Sequence, residues 1–187
     1  MTRRLTEIAH DLIARRVRDG DIVIDATMGN GHDTLFLADL VGERGHVHAF
    51  DVQQRAIDKT GERLAEHGLS NRATLIRESH AEMTSHLPQE ASGQIAAVVF
   101  NLGYLPGGEK RVTTTAETTR KALEQALELL GPGGIISLLV YVGHAGGEQE
   151  HRAILAWLEG LPETVLREHH NPDCASHSPR LYTLAKG

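Results

Sequence analysis

A glycine-rich turn between an apolar run and a helix-like segment is the feature that most constrains the fold. The apolar run covers residues 22–24, and the turn covers residues 25–33 with the sequence Asp-Ala-Thr-Met-Gly-Asn-Gly-His-Asp. Gly29 and Gly31 permit backbone conformations in which N–H groups point at a ligand pressed against the turn. This order of strand, turn and helix predicts a ligand-binding edge of an α/β sheet.

The rest of the chain repeats the alternation of apolar runs and helical periodicity. Apolar runs predict strands at residues 22–25, 46–50, 73–77, 95–100, 135–142, 164–168 and 181–185. Helical spacing predicts helices at 4–18, from Asp33, at 54–67, from Thr114 and at 148–159. The pattern predicts an α/β fold with a mostly parallel seven-stranded sheet, helices on both faces, and one domain over residues 1–187 with an N-terminal helix within 1–18.

Local signals set the expected ends of these elements. Asp33 suits the N-cap of the helix after the glycine turn. Ser79 and Thr114 each precede a glutamate by three residues, which is the spacing of a capping box. The sequence Gly-Pro-Gly-Gly at residues 131–134 predicts a hard stop before the strand at 135–142.

Composition limits the classes of function. The chain has 187 residues and a formal net charge of −6, which argues against a protein whose whole surface binds nucleic acid by charge. No run of eighteen apolar residues and no apolar secretory region are present, so no membrane partner is expected. The lone Cys174 cannot form an internal disulfide, which favours a cytoplasmic location. Basic residues cluster near the N-terminus, where they suit a small RNA element or solvated helix faces equally: Arg3, Arg4, Arg15, Arg16 and Arg18.

The turn departs from a dinucleotide fingerprint. Gly29-Asn30-Gly31 is followed by His-Asp-Thr, so the third glycine of the G-x-G-x-x-G pattern is missing. Asp25 precedes the glycines, and its carboxylate would repel a pyrophosphate while attracting a cationic amino-acid group, directly or through water. S-adenosylmethionine carries an ammonium group and no phosphate, so it is the expected cofactor. A dinucleotide and a structural turn without a ligand are the alternatives.

Further polar residues follow the ends of the next predicted strands. Asp51 comes twenty residues after the second glycine, where an acid that grips both ribose hydroxyls is expected, and Gln53 adds to that edge. Ser79 and His80 follow the third strand, where the adenine edge would lie. Asp51 alone would also suit a helix N-terminus, and Ser79 a helix cap. Because carboxyl ends of parallel strands meet at one edge, these residues are expected to line one crevice.

A polar, glycine-rich loop follows the fourth strand. Many amino-directed methyltransferases carry Asn/Asp-Pro-Pro-Tyr there, and the sequence Asn101-Leu-Gly-Tyr104 keeps the Asn and the aromatic residue at matching spacing. An Asn carbonyl can accept a hydrogen bond from a substrate amine and aim its lone pair at the methyl carbon. Tyr104 can stack on an acceptor base, or it is a half-buried tyrosine of the turn. Asn101 and Tyr104 are the predicted catalytic residues.

The motifs at residues 25–34, 78–80 and 101–110 resemble those of a small bacterial methyltransferase family once labelled "putative rRNA methylase". Its characterised members are of the MnmM (YtqB) type. The resemblance covers nearly the whole chain and implies a Rossmann-like class I methyltransferase that uses S-adenosylmethionine. It further implies methylation of the aminomethyl group of 5-aminomethyl(-2-thio)uridine at the wobble position of tRNA, and hence the tRNA anticodon region as partner. Homodimers are also implied. By motif match, the cofactor residues are Asn30, His32, Asp51, Gln53, Ser79 and His80.

The segment before the last strand departs from the family pattern. Members often carry an Asn and Pro-Pro there, whereas residues 169–179 read His-His-Asn-Pro-Asp-Cys-Ala-Ser-His-Ser-Pro. The histidines and the lone cysteine match no strong metal signature, so no metal site is expected. If this segment recognises tRNA, the acceptor can differ. An rRNA base or a small-molecule amine is the alternative acceptor, and an NAD-binding oxidoreductase or a non-catalytic RNA-binding module is the alternative class.

Overall fold

One mostly parallel sheet forms the centre of the fold, within the residues that the computed structural model describes: 3–103, 114–143, 146–171, 175 and 177–186. Its strands are β1 (Ile22–Asp25), β2 (His46–Phe50), β3 (Ala73–Ile76), β4 (Ile95–Leu102), β5 (Leu130–Val140), β6 (Val165–His169) and β7 (Arg180–Lys186). They lie in the order β3-β2-β1-β4-β5-β7-β6. β7 runs antiparallel to its neighbours β5 and β6, and the other pairs are parallel. The predicted Rossmann-like sheet is confirmed.

Helices cover both faces of this sheet. They are α1 (Leu5–Ala14), α2 (His32–Leu40), α3 (Gln54–Glu66), α4 (Ala116–Leu129) and α5 (Gly147–Glu159), with 3₁₀ turns at Ser70–Arg72, His80–His86 and Gln89–Ala91. Successive side chains of a strand point to opposite faces. Val23 accordingly lies in one apolar cluster with Leu37 of α2, and Ile24 lies in another with Leu123 of α4. No helix within the described ranges is long and apolar enough to cross a membrane.

Several helix ends differ from the prediction. α1 ends at Ala14, short of the predicted residue 18. α2 begins at His32 with Gly31 as its N-cap, so the N-cap prediction for Asp33 is wrong; the left-handed φ of 78° at that position suits glycine. α4 has Thr115 as its N-cap, one residue later than predicted.

The glycine-rich run at residues 131–134 does not separate α4 from β5. α4 ends at Leu129 and β5 begins at Leu130, so the helix passes directly into the strand. A shift in register against β4, between Ile95 and Ala97, accompanies this early start. The prediction was therefore right about the end of the helix and wrong about the start of the strand.

The two described ends of the segment that follows β4 meet each other. The backbone N–H of Thr114 donates to the carbonyl of Gly103 at 3.3 Å. Glu150 of α5 is only 2% exposed, and its carboxylate accepts from the hydroxyls of Thr114 at 3.0 Å and Thr119 at 2.6 Å. The end of β4 and the residues that lead into α4 therefore lie side by side, and Glu150 of α5 binds the latter.

Candidate cofactor and acceptor site

The turn after β1 presents bare backbone at the carboxyl edge of the sheet. Gly29 and Gly31 have φ values of 52° and 78°, and the Gly31 N–H closes the turn on the Met28 carbonyl at 2.8 Å. A Cβ added at Gly31 would lie 2.9 Å from Cα of Thr60, which is too close for any side chain. Glycine is therefore required here by both its backbone conformation and the approach of α3.

Asp25 lies beneath this turn and not on its surface. The side chain is fully buried, and its two carboxylate oxygens accept from the Thr27 N–H at 3.1 Å and the Thr34 hydroxyl at 2.6 Å. Burial, and then the nearby Asp33 carboxylate, raise the pKa of Asp25 to about 7. Direct contact between Asp25 and a cationic ligand does not fit this placement, because the side chain has no exposed surface. Asp25 instead shapes the turn.

Asp51 lies beside the turn at the end of β2. One carboxylate oxygen accepts from the Gly29 N–H at 3.1 Å and the other from the Gln53 N–H at 2.9 Å. Burial raises the pKa of Asp51, although backbone hydrogen bonds from Gln53, Gly29 and Val52 act in the opposite direction. Gln53 is the N-cap of α3, so its side chain also stands at this edge. The acid expected for a ribose diol is therefore fixed against the glycine turn.

Three further residues of this region were not predicted from the sequence. Val52, directly after Asp51, is apolar and 46% exposed, which suits a flat ring packed against it. Arg63 of α3 donates to the Asn30 carbonyl at 2.9 Å and approaches Nε2 of the exposed His32 at 3.4 Å. The hydroxyl of Thr60 donates to the Gly29 carbonyl at 3.3 Å. The helical spacing of Thr60 and Arg63 was the signal available for both, because one turn of α3 brings them to the same side.

Ser79 and His80, the residues predicted for the adenine side, follow the end of β3 at Ile76. The Ser79 hydroxyl caps the following 3₁₀ turn by accepting from the Ala81 N–H at 3.2 Å. His80 is 7% exposed, and its Nδ1 donates to the Ala26 carbonyl at 3.2 Å. Burial lowers the pKa of His80 to about 4, so the ring is neutral and Nε2 is an acceptor. Within the described part of the chain, Nε2 is buried and has no hydrogen-bond partner.

Asn101 lies near the end of β4, next to the turn. Its backbone N–H donates to the Thr27 hydroxyl at 2.7 Å, and its side-chain Nδ2 donates to the Asp33 carboxylate. The other oxygen of Asp33 is 2.5 Å from Nε2 of His10 on α1. Asp33, which the sequence offered as a helix cap, thus joins β4 to the N-terminal helix. Tyr104 lies outside the described residues.

A metal centre finds no support in the described ranges, where no group of three or more His, Cys, Asp or Glu side chains is placed to hold an ion. The histidines before β7 have other contacts. The rings of His169 and Tyr182 stack with centroids 4.5 Å apart, and Nε2 of His170 lies 2.8 Å from the Thr183 hydroxyl. Asp173 and Cys174 of the same segment lie outside the described residues.

The structure therefore brings most of the predicted site residues to one edge. Three hydrogen bonds link residues 26–29 to the ends of the other strands. Asp51 binds Gly29, Asn101 binds Thr27, and His80 binds Ala26. Asp25 also lies at this edge, but it is buried beneath the turn. The Asp33–His10 pair is the main addition, and no residue spacing could have shown it, because α1 and α2 meet only in the folded chain.

Comparison with known proteins identifies relatives of this chain by sequence. A family model described as "Putative rRNA methylase" matches residues 47–182. The chloroplastic tRNA (mnm(5)s(2)U34)-methyltransferase of Arabidopsis thaliana is 42% identical over 168 residues, which is 86% of this chain and 61% of that relative. This chain thus spans about three fifths of the length of that relative.

Solved structures match over full length. A "putative rRNA-methylase" from Clostridium thermocellum is 39% identical with a TM-score of 0.94, and a "putative methyltransferase" from Streptococcus mutans, in complex with SAH, is 34% identical with a TM-score of 0.88; each comparison covers 100% of both chains. The chain belongs to the family described as "Putative rRNA methylase".

Proposed function

We propose that this chain is an S-adenosylmethionine-dependent N-methyltransferase. Its proposed acceptor is the aminomethyl group of 5-aminomethyl(-2-thio)uridine at the wobble position in the anticodon region of tRNA. The 42% identity to a plant methyltransferase named for that wobble nucleoside supports the acceptor. The SAH in the related Streptococcus mutans structure supports the cofactor.

The residues at the carboxyl edge fit an adenosine-bearing sulfonium donor. A Cβ at Gly31 would collide with Thr60 of α3, so glycine keeps the backbone of this turn bare. The Asp51 carboxylate beside it suits a ribose diol, and the buried Nε2 of His80 is an acceptor in need of a donor. When bound, S-adenosylmethionine supplies an activated methyl group to an attacking nucleophile.

We assign roles on this basis. Asp51 and Gln53 hold the ribose, Ser79 and His80 flank adenine, and the turn from Gly29 to His32 faces the amino-acid end. Asp25 supports that turn from below. Asn101 accepts a hydrogen bond from the acceptor amine, and Tyr104 stacks on the acceptor base. The amine needs little covalent help beyond orientation and loss of a proton, so positioning supplies much of the acceleration.

The observation that carries this proposal is the pairing of Asn101 with Asp33. The Nδ2 of Asn101 is engaged by the Asp33 carboxylate, which leaves Oδ1 as the end of the amide that can accept. A carboxylate and an amide oxygen side by side suit a cationic or amine acceptor far better than a hydroxyl or a carbon nucleophile.

The direct test is nucleoside mass spectrometry of tRNA from a strain that lacks this protein. We expect 5-aminomethyl-2-thiouridine to accumulate and its methylated form to disappear, and the plasmid-borne gene should reverse both changes. Purified protein should transfer methyl groups to that tRNA and not to tRNA without the aminomethyl group. A normal wobble profile, with methyl transfer to rRNA instead, would replace this acceptor by an rRNA base.

We further propose that the chain is one domain, acts in the cytoplasm and forms a homodimer. The continuous seven-stranded sheet supports one domain, the lone cysteine supports a reducing compartment, and the family resemblance supports the dimer. Sedimentation equilibrium with a monomer mass of 20.4 kDa tests the dimer directly.

A further inference from the structure

Three elements meet at the Asp33 carboxylate. One oxygen faces Nε2 of His10 on α1 at 2.5 Å, and the other accepts from Nδ2 of Asn101 on β4. The side chain of Asp33 is 14% exposed and that of His10 is 28% exposed. The carboxylate is therefore mostly covered, while the imidazole beside it reaches water.

The ring of His10 is held in a fixed plane. It stacks on Phe36 of α2 with ring centroids 3.8 Å apart and an interplanar angle of 3°. Because one face of the ring is covered by Phe36, the ring nitrogens at its edge are the atoms that can bind other groups. A histidine fixed by an aromatic neighbour and aimed at a carboxylate is an arrangement suited to moving a proton.

The titratable groups that face Asp33 come from each strand end around it. Asp25 of β1 lies below, and Tyr141, directly after β5, lies on the far side; the Asp33 charge contributes to raising the pKa of both, after burial in each case. Tyr141 is 39% exposed, and its side chain lies next to Gly103, directly after β4. Because these raised pKa values leave Tyr141 neutral and Asp25 partly protonated near pH 7, a cationic acceptor entering beside Asn101 would meet mainly the charge of Asp33.

We propose that Asp33 is a catalytic residue that selects the acceptor as an ammonium ion and takes its proton, and that His10 is the positioning residue that passes this proton to water. This inference rests on the function proposed above. It assigns a role to a contact between the N-terminal helix and the methyl-transfer site.

The chemistry needs such a step. An alkylammonium group with a pKa near that of lysine is neutral in only about one part in a few thousand at pH 7. In the complex, an N–H bond of the ammonium breaks and its proton moves to the Asp33 carboxylate. The freed lone pair forms the N–C bond while the S–CH₃ bond breaks, and the bonding pair stays on sulfur. His10 then takes the proton from Asp33 and exchanges it with water. Repulsion between the ammonium and the sulfonium favours the first transfer.

The first experiment needs no methyl transfer. Two anticodon stem–loop RNAs, one with 5-aminomethyl-2-thiouridine and one with 2-thiouridine, are titrated by calorimetry without cofactor. We expect the native chain to prefer the aminomethyl RNA about tenfold or more, as for a charged hydrogen bond. Asp33→Asn should lose this preference, whereas His10→Phe, which keeps an aromatic ring against Phe36, should retain it.

The second experiment measures the single-turnover rate of methyl transfer between pH 6 and pH 10. At pH 7, we expect Asp33→Asn to be slower by about 10²–10⁴, the range for loss of a general base. The defect should shrink as the pH approaches 10, because the RNA amine then loses its proton without help. His10→Phe should show a smaller defect with the same recovery.

His46→Phe is the matched control, because Nε2 of His46 also bonds a side chain, the Thr74 hydroxyl at 2.8 Å, but at the start of β2 on the opposite edge. His46→Phe should change neither the preference for the aminomethyl RNA nor the pH profile of methyl transfer. Unchanged RNA preference and pH profile in Asp33→Asn would overturn the inference while leaving the proposed function intact. If the native chain itself transfers no methyl group to the aminomethyl RNA, both this inference and the proposed function are wrong. If Asp33→Asn does not fold, His10→Phe decides, and a native pH profile in that variant overturns the relay.

Discussion

The backbone N–H of Gly29 donates to the carboxylate of Asp51 at 3.1 Å. This bond joins the turn after β1 to the end of β2. The acid that is expected to hold the ribose is therefore also a structural partner of the glycine turn. Loss of its charge should affect both ends of the bound cofactor at once.

Asp51→Asn should weaken the binding of S-adenosylmethionine and SAH about ten- to hundredfold, as for loss of a charged hydrogen-bond partner. The substitution keeps the shape of the side chain, so the fold should remain. Isothermal titration calorimetry measures the affinity. Asp58→Asn is the control, because Asp58 is an exposed acid of the adjacent α3 and accepts a local hydrogen bond from Gln54 at 2.8 Å. Equal affinities for the two variants would remove Asp51 from the cofactor site.

Gly31→Ala should destabilise the protein more than Gly68→Ala does. Both glycines have a left-handed φ, 78° and 69°, which costs alanine about 1–2 kcal/mol. A Cβ at Gly68 meets nothing within 4 Å, whereas one at Gly31 collides with Thr60. The crowding should add about 1–3 kcal/mol. Chemical denaturation of the two variants, followed by circular dichroism, gives the difference; equal losses would mean that α3 can move aside.

Asp25 should make the stability of the native chain fall as the pH rises from about 4 to about 7. Its pKa is 3.8 in the unfolded reference and about 7 in the folded protein, so the folded chain binds more protons in this range. The contribution is fully present below the lower value and is lost through the upper one. Asp25→Asn lacks this titration, and the Thr34 hydroxyl can still donate or accept there. Thermal unfolding of both chains from pH 4 to pH 8 should show a flatter profile for the variant; parallel profiles would contradict the raised pKa.

Asn101→Ala should lower methyl transfer by about a hundredfold or more through loss of orientation. Cofactor affinity should change little, because the hydrogen bond between Asn101 and Thr27 uses the backbone N–H, which alanine retains. Single-turnover transfer and calorimetry separate the two quantities. Asn71→Ala, at an exposed position before β3, should leave both unchanged. Full activity of Asn101→Ala would exclude a role for the amide.

Glu150→Ala should cost about 1–3 kcal/mol of stability, because it leaves two threonine hydroxyls without their acceptor. Glu148→Ala is matched to it, since Glu148 lies in the same first turn of α5 but is exposed. Urea unfolding should therefore separate the two variants by most of that amount. Similar midpoints would show that α5 does not depend on the buried carboxylate.

Much of the framework follows from the sequence because its signals are local. The apolar runs mark β1 to β4 to within a residue or two, and the rule that parallel strands end at one edge gathers Asp51, Ser79 and Asn101 there. The start of β5 was missed because Leu130 already pairs with Ile95, whereas residues 131–134, which carry strong turn signals, lie in the register shift before pairing resumes at Ile135.

The remaining differences arise where tertiary contacts decide. Asp33 is a residue type that often caps helices, but Gly31 is the N-cap of α2. α1 instead brings His10 to the Asp33 carboxylate. Asp25 has the charge to attract a ligand, but the turn folds over it. In both cases the sequence identifies the ionisable group, and only the three-dimensional approach of other elements decides what it faces.

The hydrogen bond between Thr114 and Gly103 has an evolutionary consequence. Because these residues meet, we expect changes among the ten positions between them to leave β4 and α4 in place. On the function proposed above, we therefore expect relatives to differ in acceptor through these positions while they keep the donor side. A chimaera that carries a relative's insert between residues 103 and 114 would be the natural way to move acceptor choice from one member of the family to another.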